Sequence, residues 1–172
     1  LARGFEVSSN TVLVQSVFNN YKNNPKQFVD RIRSYGLHKP LGLPIKGEGR
    51  TYIPYPGTSG WSGTSLPWMA FGYGLMVTPL QTLTLYNAVA NNGEMLKPKF
   101  VNKISSIGNK PIYEMDREVI MPSICSQKTL DIVKEMLKNI VEKPWGTANR
   151  IHDDYIKIAG KTGTSQTDYV KD

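Results

Sequence analysis

Apolar residues in the first part of the chain recur three or four positions apart, which is the spacing of one face of an α-helix. This spacing predicts a helix over 11–22 and a second helix that begins at Pro25 and ends near Gly36. Proline is tolerated in the first turn of a helix, and glycine is common just after the last turn. The apolar positions of the two predicted helices are Val14, Val17, Phe18 and Tyr21, then Phe28, Ile32 and Tyr35.

Two later segments predict helices. Thr78 and Gln81 are placed as the two residues of a capping box, Pro79 lies in the first turn, and Gly93 marks the expected end. A further amphipathic helix is predicted over 126–141. Its apolar face is formed by Leu130, Val133, Leu137, Ile140 and Val141.

The segment 40–67 is rich in Gly, Pro, Ser and Thr and shows no sustained period, which predicts a long loop. Loops of this length are usually functional or mobile. Its aromatic residues either line a groove for a glycan or peptide or, in the interpretation we favour, attach the loop to the domain by burying their rings. These residues are Tyr52, Tyr55, Trp61 and Trp68.

Strands are predicted in the later part of the chain. Short strands and turns are expected within 94–122, and a longer strand is expected over 155–164. Helices dominate the pattern and the strands gather late, which favours an α+β fold over alternating β-α-β units.

The composition restricts the class of protein further. The 172 residues, 40% of them hydrophobic, suffice for about one domain, and the apolar runs are too short for a transmembrane helix or signal peptide. His38 and His152 lie far apart and Cys125 is the single cysteine, which excludes a Cys/His zinc site and an intrachain disulfide. The chain begins without methionine, so we expect a piece of a longer protein.

The net charge of +7 is compatible with nucleic acid, anionic lipid or a carboxylate-bearing substrate as a partner. The lysines and arginines are scattered, however, and never form a run of four. A solvated basic surface is therefore the favoured interpretation of the charge.

Two short motifs near the ends of the chain are candidates for chemistry. In the sequence IKIAGKTGTSQ, at 156–166, Gly163 is either part of a plain strand edge or a point where the backbone of a ligand comes close. Ser8-Ser9-Asn10 precedes the first predicted helix. Because Ser and Asn are favoured at helix N-termini, this tripeptide on its own has an ordinary capping interpretation.

Together the motifs resemble those of a known family. Lys161-Thr162-Gly163 resembles the K-T-G element, and Ser8-Ser9-Asn10 the S-x-N element, of penicillin-binding proteins and serine β-lactamases. The sequence AFGYGLMVTPLQTLTLYNAVANNGEMLKPKFV between them resembles the F-G-Y-G, T-P-L-Q and A-N-x-G block of class B penicillin-binding proteins. The motif order matches over nearly the whole chain, and the likeness is closest to the cell-division type of class B transpeptidase.

The resemblance implies an incomplete transpeptidase (penicillin-binding) domain over 1–172, from the S-x-N motif to just past the K-T-G motif. The implied fold is part of a penicillin-binding-protein/β-lactamase-like domain, with a helical cluster packed on an antiparallel sheet and truncation at both ends. The family's nucleophile comes from an S-x-x-K motif, and no serine in this chain is followed three residues later by lysine. We therefore expect that motif to lie upstream and this fragment to be inactive alone.

The implied activity is peptidoglycan cross-linking by D,D-transpeptidation, an acyl transfer from D-Ala–D-Ala stem peptides. Ser8 and Lys161 are the implied catalytic residues: Ser8 relays a proton to the leaving amine, while Lys161 polarises the Ser8 hydroxyl and attracts the substrate carboxylate. Asn10 is implied to hold the substrate amide and the lysine of the S-x-x-K motif.

The implied substrate-binding residues of the K-T-G segment are Thr162, Gly163 and Thr164. The two threonine hydroxyls bind the terminal carboxylate, and the missing side chain of Gly163 lets the substrate backbone lie against the strand. The Thr164 N–H is the implied oxyanion donor.

The resemblance also implies ligands and a location. It implies peptidoglycan stem peptides and β-lactams as ligands, other division or cell-wall synthesis proteins as partners, and no cofactor, metal or nucleic acid. It implies an extracytoplasmic (periplasmic) location and a membrane anchor outside this chain. Two alternatives stay open: a serine β-lactamase or penicillin-sensor domain, which shares K-T-G and S-x-N, and a non-catalytic basic binding domain.

Overall fold

The computed structural model describes residues 1–164, and within them six α-helices and four short β-strands are found. The helices are α1 Ala2–Glu6, α2 Asn10–Tyr21, α3 Pro25–Ser34, α4 Ser65–Met69, α5 Pro79–Ala90 and α6 Gln127–Glu142. The strands are β1 Met95–Leu96, β2 Lys103–Ser105, β3 Pro111–Glu114 and β4 Val119–Met121, and a 3-10 turn covers Asn149–Ile151.

The predicted capping box of α5 is confirmed. The Gln81 N–H donates to the Thr78 hydroxyl at 3.1 Å, and the Thr78 N–H donates to the Gln81 side chain at 2.8 Å. The Gln81 amide is buried and also donates to the Lys39 carbonyl at 2.7 Å. The start of α5 is thereby attached to the chain that follows α3.

The predicted helices near the N-terminus are also confirmed. Helix α2 is capped by Ser9, whose side chain accepts from the Val12 N–H at 3.4 Å. Helix α3 begins at Pro25, and Gly36 follows it with a φ of +76°. The apolar stripes lie half-buried except at Phe18, which is exposed. The fully buried residue of α3 is Val29, which the predicted stripe did not include.

The core consists of two clusters of buried apolar residues. One cluster joins α5, β1 and α6 and consists of Ala88, Met95, Ile124 and Leu130. The other joins α3, the long loop and α4 and consists of Val29, Ile53 and Met69. The remaining apolar face of α6 is buried at Leu137, Ile140 and Val141, as its spacing predicts.

The strands pair antiparallel in two separate two-stranded ladders. β1 pairs with β4, with Met95 opposite Met121, and β2 pairs with β3, with Ile104 opposite Tyr113. Helix α5 packs against β1. The α+β class and the antiparallel pairing are confirmed.

The strand predicted over 155–164 is wrong for the described residues, since no ladder includes this segment. The Asp153 carboxylate instead accepts the N–H groups of Tyr155 and Ile156, each at 2.8 Å, and bends the chain. The Gly160 N–H donates to the Leu137 carbonyl of α6 at 3.1 Å. The segment therefore bonds to a side chain and a helix rather than to a neighbouring strand. Ser165 and Gln166, the last two residues of the motif IKIAGKTGTSQ, lie outside the described residues.

The predicted long loop runs without a helix as far as Ser65, where α4 begins. Tyr55 and Trp61 pack against the core cluster beneath the loop, and the Tyr55 hydroxyl donates to Asp30 at 2.9 Å. Tyr52 and Trp68 stay 43% and 50% exposed, so burial explains two of the four aromatic residues. Across residues 1–164, every helix is too short or too polar to span a bilayer.

Candidate active site

Ser8 lies in a tight turn between α1 and α2. Its φ of +53° places it in the left-handed region, which non-glycine residues adopt rarely and often at functional sites. The turn is closed by hydrogen bonds from the Ser8 N–H to the Phe5 carbonyl at 3.1 Å and from the Ser9 N–H to the Gly4 carbonyl at 2.8 Å. Ser9 caps α2, so the cap does not use the Ser8 hydroxyl.

Lys161 meets Ser8 from the other end of the sequence. Its amine donates to the Ser8 hydroxyl oxygen, across 153 residues of sequence, and to the Thr162 carbonyl at 2.9 Å. Burial lowers the pKa of the Lys161 amine. The lysine is therefore directed at a hydroxyl and gives up its proton more readily than a solvated lysine does.

A third hydroxyl extends this contact. The Thr162 hydroxyl lies 2.7 Å from the Thr147 hydroxyl and 3.4 Å from the Ser8 hydroxyl, within hydrogen-bonding distance of both. Three hydroxyls and one amine, from three segments of the sequence, thus form one hydrogen-bonded network. Such a network is suited to moving a proton or to binding an anion.

All six residues that the sequence predicts as site residues line one cavity of about 590 Å³. They are Ser8, Asn10, Lys161, Thr162, Gly163 and Thr164. The structure thus brings the two motifs together, while the role of each residue stays a prediction.

The cavity also contains residues that the sequence did not single out as site residues. They are Leu13, Ala70, Phe71, Tyr73 and Thr147. The Phe71 and Tyr73 rings lie 5.2 Å apart, and the glycines that alternate with them, Gly72 and Gly74, have φ values of +96° and +72°. The aromatic–glycine alternation of the F-G-Y-G motif could have revealed this part of the site. Thr147 has no comparable local signal.

Gly163 has open space beside it. A Cβ built at this position would meet no described atom within 4 Å, and the backbone φ is not in the left-handed region. Neither its backbone conformation nor the packing of the described residues therefore requires glycine. Gly163 lines the cavity, so the space beside it is space in which a ligand can lie.

A second cavity, of about 530 Å³, lies beside β3 and the loop at 42–44 and includes none of the six residues. Of its three cations, Lys97 contacts Glu118 at 3.1 Å, Arg117 contacts Glu94, and Lys99 donates to the Met115 carbonyl at 2.7 Å. Within the described part of the chain, Lys161 has only hydroxyl and carbonyl oxygens as hydrogen-bond partners. The Lys161 amine therefore has no carboxylate partner in the described part of the chain and is able to bind the carboxylate of a ligand.

Comparisons with known sequences agree with the motifs. A family model described as the penicillin binding protein transpeptidase domain matches residues 1–172. The chain is 28% identical over 147 residues to the penicillin-binding protein PbpB of Mycobacterium tuberculosis, covering 83% of this chain and 21% of that protein. It is 29% identical over 138 residues to the peptidoglycan D,D-transpeptidase FtsI of Escherichia coli, covering 80% of this chain and 21% of that protein. The chain thus spans about a fifth of the length of these curated relatives.

Solved structures share the fold. Penicillin-binding protein 2B of Streptococcus pneumoniae superposes with a TM-score of 0.80 at 22% identity, covering 99% of this chain and 30% of that one. Penicillin-binding protein 3 of Mycobacterium tuberculosis, solved in complex with ampicillin, superposes with a TM-score of 0.79 at 27% identity. That match covers 96% of this chain and 36% of the other chain.

Proposed function

The chain belongs to the penicillin-binding protein transpeptidase domain family, and we propose that it forms part of a peptidoglycan D,D-transpeptidase that cross-links the cell wall during division. The observation that supports this most directly is the hydrogen bond from the Lys161 amine to the Ser8 hydroxyl inside the cavity. It joins the two motifs that the proposed chemistry uses together. The family model and the name of the relative FtsI, a peptidoglycan D,D-transpeptidase, favour a transpeptidase over a β-lactamase or a nucleic-acid-binding domain.

The first step forms an acyl-enzyme. A serine from the S-x-x-K motif, which this chain lacks, attacks the carbonyl carbon of the D-Ala–D-Ala peptide bond. The attacking serine passes its hydroxyl proton to the lysine of its own motif as the ester bond forms. The C–N bond then breaks, and D-alanine leaves as its nitrogen takes up a proton. Ser8 delivers that proton and Lys161 replaces it, because the amine is hydrogen-bonded to the Ser8 oxygen and burial lowers its pKa.

The second step transfers the acyl group. An amine of a neighbouring peptidoglycan strand attacks the ester and gives one proton to Lys161 through Ser8. A new amide bond forms, the ester C–O bond breaks, and the serine oxygen recovers its proton from the lysine of its own motif. The overall reaction exchanges one amide bond for another and needs no oxidant, metal or nucleotide.

Substrate binding is assigned to the side of the cavity formed by the K-T-G segment. Lys161 and the hydroxyls of Thr162 and Thr164 bind the terminal carboxylate, and the substrate backbone lies in the open space beside Gly163. The Thr164 N–H donates to the developing oxyanion, and Asn10 holds the substrate amide. We expect a β-lactam to bind in the same cavity; the related penicillin-binding protein 3 was solved in complex with ampicillin.

The reaction takes place on peptidoglycan, so we place the full-length protein at the extracytoplasmic (periplasmic) face of the membrane, with an anchor outside this chain. Other division or cell-wall synthesis proteins are its proposed partners.

A fluorescent penicillin tests this function. The full-length protein should be labelled covalently, and residues 1–172 alone should not be labelled because they lack the nucleophile. In the full-length protein, Lys161→Met should slow labelling by about 10²-fold or more, the usual contribution of a positioned proton shuttle. The matched control is Lys138→Met, which removes an exposed lysine of α6.

Two outcomes would contradict the proposal. Stoichiometric labelling of residues 1–172 would show that the nucleophile lies within this chain. Labelling of Lys161→Met at the rate of Lys138→Met would show that the Lys161–Ser8 contact has no part in the reaction.

A further inference from the structure

Glu6 is a buried carboxylate close to the proposed site. It is the last residue of α1, two positions before Ser8, and its side chain is 5% exposed. An ionised group is costly to bury unless it is hydrogen-bonded or paired. Glu6 is not among the residues of the cavity, so the proposed reaction does not explain its presence.

Both carboxylate oxygens of Glu6 are used. Oε1 accepts from the side-chain amide of Asn139 in α6 at 2.9 Å, and Oε2 accepts from the indole N–H of Trp145 at 2.8 Å. The backbone carbonyl of Glu6 accepts the Thr147 N–H at 3.3 Å. One residue of α1 thereby joins α6 to the turn that follows it.

The surroundings keep Glu6 ionised. The hydrogen bond from Trp145 lowers the pKa of Glu6 more than burial raises it. Asn139 and the positive charges of Arg3 and Lys143 lower that pKa further. The Arg3 guanidinium also lies 3.8 Å from the centre of the Trp145 ring, which holds the ring against α1.

The contacts of Glu6 connect the α1–α2 turn, on one side of the cavity, with the turn after α6, on the other. On one side, the α1–α2 turn places Ser8, whose hydroxyl accepts from Lys161. On the other side, Thr147 lies two residues after Trp145 in sequence, and its hydroxyl is 2.7 Å from that of Thr162. A shift of Glu6 against Trp145 would therefore change the position of Ser8 relative to Thr162.

We propose that Glu6 is a positioning residue that acts through Trp145 and Asn139 to hold the Ser8 turn in register with the Thr147–Thr162 pair. This inference rests on the proposed transpeptidase function. Glutamine cannot replace Glu6 without loss, since its amide nitrogen would face one of the two N–H donors and leave it without an acceptor.

The test uses the full-length protein and four variants. Glu6→Gln and Trp145→Phe each remove one hydrogen bond and keep the size of the side chain approximately. Their double variant tests whether the two residues act as a unit. Glu135→Gln, on the exposed face of α6, is the matched control.

The first readout is the rate of labelling by fluorescent penicillin. We expect Glu6→Gln and Trp145→Phe each to slow labelling about tenfold. The double variant should be no slower than the slower single variant, because the two residues make one shared interaction that either substitution removes. The control should label at the wild-type rate. Wild-type labelling rates in both single variants would overturn the inference, as would fully multiplicative losses in the double variant.

The second readout is the pH dependence of labelling, which a purely structural role would leave unchanged. Burial lowers the pKa of Lys161, so a cavity loosened by Glu6→Gln should hydrate the amine and return its pKa towards the ordinary value. The lysine-dependent limb of the pH profile should then move to higher pH in Glu6→Gln and stay in place in Glu135→Gln. An unchanged limb in Glu6→Gln would overturn the inference.

A third readout, hydrogen–deuterium exchange, does not depend on activity. Glu6→Gln should raise exchange at the amides of 5–9 and 143–148 together, whereas Glu135→Gln should leave both unchanged. If the wild-type protein is not labelled by penicillin, the proposed function fails, and this readout still tests the link. Unchanged exchange in Glu6→Gln would overturn the link even in an active enzyme.

Discussion

At the scale of single residues, the environment of Lys161 explains how one amine can have two roles. Its hydrogen-bond partners in the described structure are neutral oxygens, and burial lowers its pKa. A carboxylate that enters the cavity would add the negative charge that this environment lacks and would favour the ammonium form. The amine can thus bind the substrate carboxylate and exchange a proton with Ser8, depending on what occupies the cavity.

Gly163 provides a test at the same scale. Replacement by valine in the full-length protein should slow penicillin labelling by orders of magnitude, because the new side chain occupies the space proposed for the substrate backbone. The melting temperature should change little, since a Cβ meets no described atom within 4 Å. Labelling rates and thermal unfolding are measured on the same preparation. Normal labelling by a folded Gly163→Val protein would favour the alternative of a tolerated glycine without function.

At the scale of elements, close backbone contacts position the two sides of the cavity. Gly4 of α1 lies against the Val12 side chain of α2, and a Cβ at Gly4 would lie 2.6 Å from the Val12 Cβ. Gly146 packs the turn after α6 onto the end of that helix, where a Cβ would overlap the Ile140 carbonyl and lie 2.8 Å from the Asn139 oxygen. The Gly146 contact is with backbone, which cannot move aside without disturbing α6.

The backbone contact of Gly146 predicts that a side chain at this position destabilises the domain. Gly146→Ala should destabilise the domain by about 1–3 kcal/mol, the usual cost of overpacking. Gly63→Ala is the matched control: its Cβ would meet nothing within 4 Å and its φ is not left-handed, so its effect should stay within about 0.5 kcal/mol. Calorimetric unfolding of the full-length protein measures both. Equal stability of the two variants would show that the turn can move away from α6.

The elements could be predicted from sequence where their determinants are local. The start of α5 follows from Thr78 and Gln81, its end at Ala90 falls shortly before the predicted Gly93, and the stripe of α6 gives its buried face. The strand over 155–164 was mispredicted because a strand needs a partner, and a run of extended residues does not show whether one is present. The sequence placed the six site residues together only through the family's motif order. Glu6 and Thr147 were missed because a buried carboxylate and a lone threonine have no local pattern.

At the scale of the whole molecule, the site depends on contacts between the beginning and the end of the chain. Ser8 meets Lys161 across 153 residues, and Glu6 meets Trp145 across 139 residues. The cavity forms only when these long loops of the chain are closed. Closing a loop costs conformational entropy, which the contacts at its two ends help to offset. The charge of Glu6 should therefore affect the stability of the whole domain and not only the local geometry.

Acid titration tests this last point. The folded-state pKa of Glu6 is lowered, so its carboxylate stabilises the fold above the unfolded-state pKa of about 4.3, and this stabilisation is lost as pH falls through the lower folded-state value. The difference in unfolding free energy between wild type and Glu6→Gln should stay constant from about pH 6 to 8 and shrink below about pH 4. Asp153, whose pKa is lowered by hydrogen bonds from Ile156 and Tyr155, titrates in both proteins and cancels in the difference. Urea unfolding of both proteins over this range gives the difference directly. A gap that persists undiminished in strong acid would show that the size of the side chain, and not the charge of Glu6, holds the two ends of the chain together.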